Sequence, residues 1–127
     1  MTLILNRRTL IRLQRYNNGQ ILTKNPNIDK FSKYGHLSLI ILFNNLKCTK
    51  WAMNWASENG YLDIVIWLHH NRIEGCTENE MNLAAQNGHI EIVKWLHHNR
   101  TEGCTTYAIS IASYNGHLDV VKFLHFN

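Results

Sequence analysis

The sequence predicts an all-α solenoid of helical hairpins with shortened connectors and an N-terminal helical cap. Two observations predict it. Asn59-Gly60, Asn87-Gly88 and Asn115-Gly116 recur at intervals of 28 residues (59 to 87 to 115), and so do Cys48, Cys76 and Cys104, and Leu68, Leu96 and Leu124. Within each unit the apolar residues follow a helical period twice, once on either side of the Asn-Gly.

The units run without gaps: 49–76, 77–104 and 105–127. A degenerate copy occupies 25–48, with Tyr34-Gly35-His36 and Leu46-Lys47-Cys48-Thr49 matching the pattern. It has lost the paired histidines and the Glu-Gly of the later copies. In the second full copy, residues 79–86 (NEMNLAAQ) predict a short helix with Met81, Ala84 and Ala85 on one apolar face and Leu83 at its flank. Asn87-Gly88 should end it, because glycine adopts the left-handed C′ conformation without a Cβ penalty. Residues 90–98 (IEIVKWLHH) predict the second helix, with Ile90, Ile92, Val93, Trp95 and Leu96 inward and Glu91 and Lys94 on the wet side. Neither helix can bury its face alone, so neighbouring copies must stack. Ala56, Ala84 and Ala112 are small enough to let adjacent first helices approach closely.

Residues 1–24 precede the repeats. Positions 3–16 form an amphipathic pattern with Leu3, Ile4, Leu10, Ile11 and Leu13 on one side and Arg7, Arg8, Arg12 and Arg15 elsewhere. This predicts a basic capping helix ended by Asn18-Gly19; a transit-like segment is the alternative. Asn25-Pro26 suits a helix start, Asn as N-cap and Pro at the first helical position, which puts the first helix of the degenerate copy at about 26–33. At the other end Val120, Val121, Phe123, Leu124 and Phe126 carry no polar cap, and self-association through this last repeat is an expectation, as is a truncated member of a longer array.

The pattern hydrophobic-x-x-Ala-Ala-x-x-Gly-His-h-x-h-Val-x-x-Leu fits 53–68, 81–96 and 109–124, and more loosely 28–43. It resembles the ankyrin repeat over roughly residues 25–127. The usual ThrProLeuHis opening is replaced by AMN at 52–54, EMN at 80–82 and AIS at 108–110, and the period is 28 rather than ~33. The missing residues belong to the loop that makes the β-hairpin finger of typical ankyrins, so the resemblance implies the helix stack and not the fingers. The GluGlyCysThr connector resembles a short-repeat variety of giant DNA viruses of amoebae and some protists.

Charge is uneven along the chain. Residues 1–50 hold nine Lys/Arg and one acid, Asp29; residues 51–127 hold four Lys/Arg and eight acids. Three cysteines without a CxxC point to reduced thiols and a cytoplasmic setting, the host cytoplasm if the chain is viral. No apolar run approaches the ~18 residues a membrane span needs. The stretch WLHHNRTEGCT at 95–105 suggests zinc, but its residues are copies of 67–77. Equivalent residues in stacked helices stand ~8–10 Å apart, too far for one ion, whose ligands lie ~2.0–2.3 Å from it, and too far for disulfides. Cys48, Cys76 and Cys104 are therefore expected to pack as small apolar rungs. The paired histidines are expected to serve helix C-termini, and His89 and His117 turn hydrogen bonds. No cofactor is expected. Glu74 and Glu102 recur with the repeat, and no GxSxG, HExxH, P-loop or dinucleotide motif is present, so no catalysis is expected.

The resemblance implies a protein-binding module whose partner meets the positions that differ between copies. Those rows are Lys50/Glu78/Thr106 and Trp51/Asn79/Tyr107 at the start of the first helix, and Glu58/Gln86/Tyr114 near its end. Asn59, Asn87 and Asn115 accompany them. Trp51, Tyr107 and Tyr114 are the expected aromatic anchors, while Trp67, Trp95 and Phe123 repeat in register and belong to the core. The partner is an unidentified protein, a host protein if the chain is viral. Binding of nucleic acid or another acidic surface by the basic N-terminal segment, and a remnant without activity, are the alternatives.

Overall fold

The computed structural model describes residues 27–72, 79–99 and 106–127. They form four helical hairpins: α1 (Ile28–Lys33) with α2 (Leu37–Leu42), α3 (Lys50–Asn59) with α4 (Leu62–Asn71), α5 (Asn79–Gln86) with α6 (Ile90–Asn99), and α7 (Thr106–Tyr114) with α8 (Leu118–Phe126). No strand occurs among the described residues. The N-terminal cap and Asn25-Pro26 lie outside them. So do Glu74, Cys76, Glu78, Glu102 and Cys104.

One boundary differs from the sequence expectation. The first helix begins at Ile28, and its N-cap is Asn27 rather than Asn25: the Asn27 side chain accepts from the Lys30 backbone N–H at 2.8 Å. The reason is local. Asn27 is extended at φ −149°, the geometry an N-cap needs, and its side chain reaches an orphan N–H at the third helical position.

The hairpins stack in two rows. The first helices, α1, α3, α5 and α7, pack extensively on their neighbours, whereas the second helices α4, α6 and α8 touch only lightly. Side-chain size accounts for the difference. Ala56, Ala84 and Ala112 are fully buried along the first row, while Trp67, Trp95 and Phe123 stand partly buried in the second. The core runs through in register: Ile64, Ile92 and Val120 form one rung and Leu68, Leu96 and Leu124 another, all buried. Cys48 is buried as an apolar rung. Met81, Ala84 and Ala85 face inward and Leu83 is half-buried, as the periodicity predicts.

Each hairpin turns at a left-handed glycine. Gly35, Gly60, Gly88 and Gly116 have φ between 73° and 84°. The amide after each returns to the carbonyl five residues back, at 2.9 Å in all four copies (His36 to Phe31, Tyr61 to Ala56, His89 to Ala84, His117 to Ala112). That bond satisfies a helix-end carbonyl, as in a Schellman motif. The glycines also make room. A Cβ on Gly60 would lie 2.8 Å from the His89 ring and one on Gly35 2.7 Å from Tyr61, whereas one on Gly116 would meet nothing within 4 Å.

Two consequences can be measured. Ala84→Leu forces extra methyls between α5 and its neighbours and should cost about 1–3 kcal/mol in urea denaturation. Gly116→Ala should cost only the left-handed backbone strain, about 1 kcal/mol. Gly60→Ala carries that strain and also displaces a hydrogen-bonded ring, so its midpoint should fall clearly further than that of Gly116→Ala.

Candidate partner-binding face

Helix α3 buries Ala52, Met53, Asn54, Ala56 and Ser57, which leaves Lys50, Trp51 and Glu58 exposed. Helix α5 buries Glu80, Met81, Ala84 and Ala85 and exposes Asn79 and Gln86. Helix α7 buries Ala108 and Ala112 and exposes Thr106, Tyr107 and Tyr114. The positions that vary between copies are thus the wet positions of the first-helix row, with Glu78 outside the described residues.

Beneath the variable side chains the backbone is pinned. His89 Nε2 lies 2.9 Å from the Glu58 carbonyl, and His117 Nε2 lies 3.0 Å from that of Gln86. These histidines were expected to bond within their own turn; they reach the preceding repeat instead. The side chains of Asn59, Asn87 and Asn115 donate to the carbonyls four residues back (Trp55, Leu83, Ile111) at 2.9–3.0 Å. Their amides finish their own helices.

The predicted aromatics are strongly exposed: Trp51 50%, Tyr107 56% and Tyr114 86%. The ring Trp51 meets is that of Trp55, at a centroid distance of 5.9 Å; Tyr107 and Tyr114 stand two repeats away, beyond its reach. Lys33 and Tyr34, from the degenerate copy, join the same face. Lys33 Nζ lies 5.1 Å from the Trp55 ring centroid and 5.7 Å from that of Tyr34, and Lys50 Nζ lies 5.7 Å from that of Trp51. Sequence reasoning missed Lys33, Tyr34 and Trp55. Register was the available signal, since Lys33 aligns with Glu58, Gln86 and Tyr114.

A family model described as ankyrin repeats (many copies) matches residues 53–97 and 83–125, together more than half of the chain. The chain belongs to the ankyrin-repeat family. No curated protein matches it. Ankyrin repeats are in general protein–protein interaction modules.

In this ankyrin stack the paired histidines have a role beyond the helix terminus. His69 meets Trp95 of the next repeat edge-on at 5.0 Å, and His97 meets Phe123 likewise at 5.4 Å. Among the described residues no three His, Cys, Asp or Glu side chains converge on a metal position. No described helix is long and apolar enough to cross a membrane.

Burial holds the His36 imidazole below its ordinary value of 6.5. The unfolded chain therefore takes up a proton that the folded chain resists. His36 subtracts stability as pH falls through 6.5 and adds no pH dependence above it. Thermal melts of His36→Gln should show a shallower loss of Tm with acidification below 6.5 than the parent, and no difference in slope above it.

Proposed function

We propose that the chain is a non-catalytic protein-interaction module that binds its partner on the first-helix face, through Lys50, Trp51, Glu58, Glu78, Asn79, Gln86, Thr106, Tyr107 and Tyr114. One observation carries this reading. The wet positions of α3, α5 and α7 differ from copy to copy while the backbone beneath them is held in the same register by repeated hydrogen bonds. A fixed frame presenting varied side chains is what selective recognition requires, because a preorganised surface loses little freedom on binding. The tighter packing of the first row also supports placing the partner there, because it makes that row the more rigid of the two.

What supports a cytosolic setting is the set of three cysteines without a CxxC, with Cys48 buried in the apolar core. The 28-residue spacing and GluGlyCysThr connectors support the short-repeat variety, and with it a viral chain acting on a host protein. The alternative of a bound acidic surface at Arg7, Arg8, Arg12 and Arg15 falls on residues outside the described ones.

The test is affinity capture with the tagged full chain, wild type beside Trp51→Ala/Tyr107→Ala/Tyr114→Ala, after circular dichroism shows both folded. A true partner should lose at least tenfold in affinity, since exposed aromatic anchors contribute more than about 1 kcal/mol each. It should be unaffected by Glu91→Ala/Lys94→Ala, which alters the exposed side of α6. Partners retained by the triple variant would refute the reading.

A further inference from the structure

Resting on that reading, we infer that the N-terminal half of the first-helix face takes an acidic polypeptide segment with interspersed aromatic or other large apolar side chains. The site is a continuous line of rings and ammonium groups. Tyr34 and Trp55 flank Lys33, Trp55 packs on Trp51, and Trp51 lies beneath Lys50. The line crosses a repeat boundary, from α1 to α3, and the Asn59 side chain fixes the crossing by donating to the Lys33 carbonyl at 3.4 Å.

Charge selects the ligand. Lys33 and Lys50 are exposed, and Lys47 is exposed in the connector between α2 and α3. The nearest carboxylate on α1, Asp29, is buried, with both oxygens held by the Thr49 N–H and hydroxyl at 2.8 and 2.6 Å. It offers no open negative charge. The ring contacts hold both ammonium groups on this face within cation–π distance while their remaining N–H donors stay in water, so a carboxylate arrives at a cation whose side-chain freedom is already partly spent. The rings beside them supply apolar surface: Tyr34 and Trp51 are about half exposed.

A peptide fits this line better than a phosphate backbone does. Glu58 is exposed on α3 one turn beyond Trp55, where a continuous polyanion would meet a like charge. A polypeptide can place a neutral or basic residue there. Farther along the face the described exposed positions are uncharged (Asn79, Gln86, Thr106, Tyr107, Tyr114), and Glu78, outside the described residues, is itself acidic, so the acidic part of the ligand is confined to the N-terminal half.

The experiment uses the purified full chain and a fluorescein-labelled peptide alternating glutamate and tryptophan, read by anisotropy. A matched lysine–tryptophan peptide is the control, and polyuridylate is a competitor. The Glu/Trp peptide should bind and the Lys/Trp peptide should not. Lys33→Gln/Lys50→Gln should weaken binding about tenfold and flatten its salt dependence, Lys50→Gln alone should weaken it less, and polyuridylate should not compete. The inference is overturned if the Glu/Trp peptide fails to bind, if the control binds equally, if the double variant binds unchanged, or if polyuridylate displaces the peptide. Parallel capture with the aromatic triple variant separates the two claims. A partner lost by that variant while the Glu/Trp peptide fails leaves the first-helix reading intact and removes the acidic class alone.

Discussion

The stack depends on the contact between a left-handed glycine and the ring of the following repeat. Gly35 lies under Tyr61, Gly60 under His89 and Gly88 under His117. Three requirements meet at one residue. The positive φ lets the first helix end and the chain reverse. The missing Cβ leaves space for the ring. The imidazole then reaches the carbonyl two residues before the glycine, in Glu58 and Gln86. A single site therefore fixes the end of a helix, the hairpin turn and the register of the next hairpin. Where tyrosine replaces histidine, at Tyr61, the matching carbonyl of Lys33 is met instead by the Asn59 side chain. The space is filled by a different ring and the acceptor by a different donor, so geometry rather than residue identity is what the junction keeps.

Polar links between repeats follow the same economy. Asp29 on α1 holds the N-cap of α3: Thr49 gives it both its N–H and its hydroxyl proton, and the same hydroxyl oxygen accepts from the Trp51 N–H. A buried carboxylate is costly unless its oxygens are satisfied, and here both are. At the far ends of the hairpins, Arg72 donates to the carbonyls of Asn44 and Leu46 in the preceding connector. Between the first two hairpins, glycine and ring at one end, guanidinium and carbonyl at the other, and alanine between give three levels of contact. Stability in such a stack resides in these nearest-neighbour junctions more than in any single hairpin.

Much of this was legible in the sequence because each copy serves as a control for the others. The Asn-Gly recurrence gave the turns, and the alanine and leucine rungs gave the inward faces of α5 and α6. What stayed hidden were relations between copies that residue identity does not encode. His89 looked like a residue of its own turn because its acceptor, the Glu58 carbonyl, has no side-chain signature. His69 and His97 looked like helix-end residues because nothing in their own unit announces Trp95 and Phe123 of the next. Asn25-Pro26 offered a stronger cap signal than Asn27, but a cap is decided by where the orphan N–H groups point. On the candidate face, Lys33 was passed over because it sits in the degenerate copy, although its register with Glu58 was available.

The residues of each repeat divide between those that hold the stack and those that are free to vary. Glycine, ring, alanine and the helix-ending asparagines hold the geometry, and each is spent on an intramolecular partner. Lys50, Trp51, Glu58, Gln86, Tyr107 and Tyr114 stand outside that set, because their side chains are exposed and, at Glu58 and Gln86, it is the backbone carbonyl that the next repeat's histidine meets. They can change without loosening a junction, and between copies they do. The change is ordered: lysine and tryptophan gather at the α1–α3 boundary, while neutral polar residues and tyrosine occupy α5 and α7. A ligand lying along the first helices, as proposed above, would meet a charged, aromatic end and, among the described residues, exposed neutral side chains farther on. A head-to-tail stack already has a direction, and the uneven distribution of charged and aromatic side chains adds a chemical distinction between its two ends.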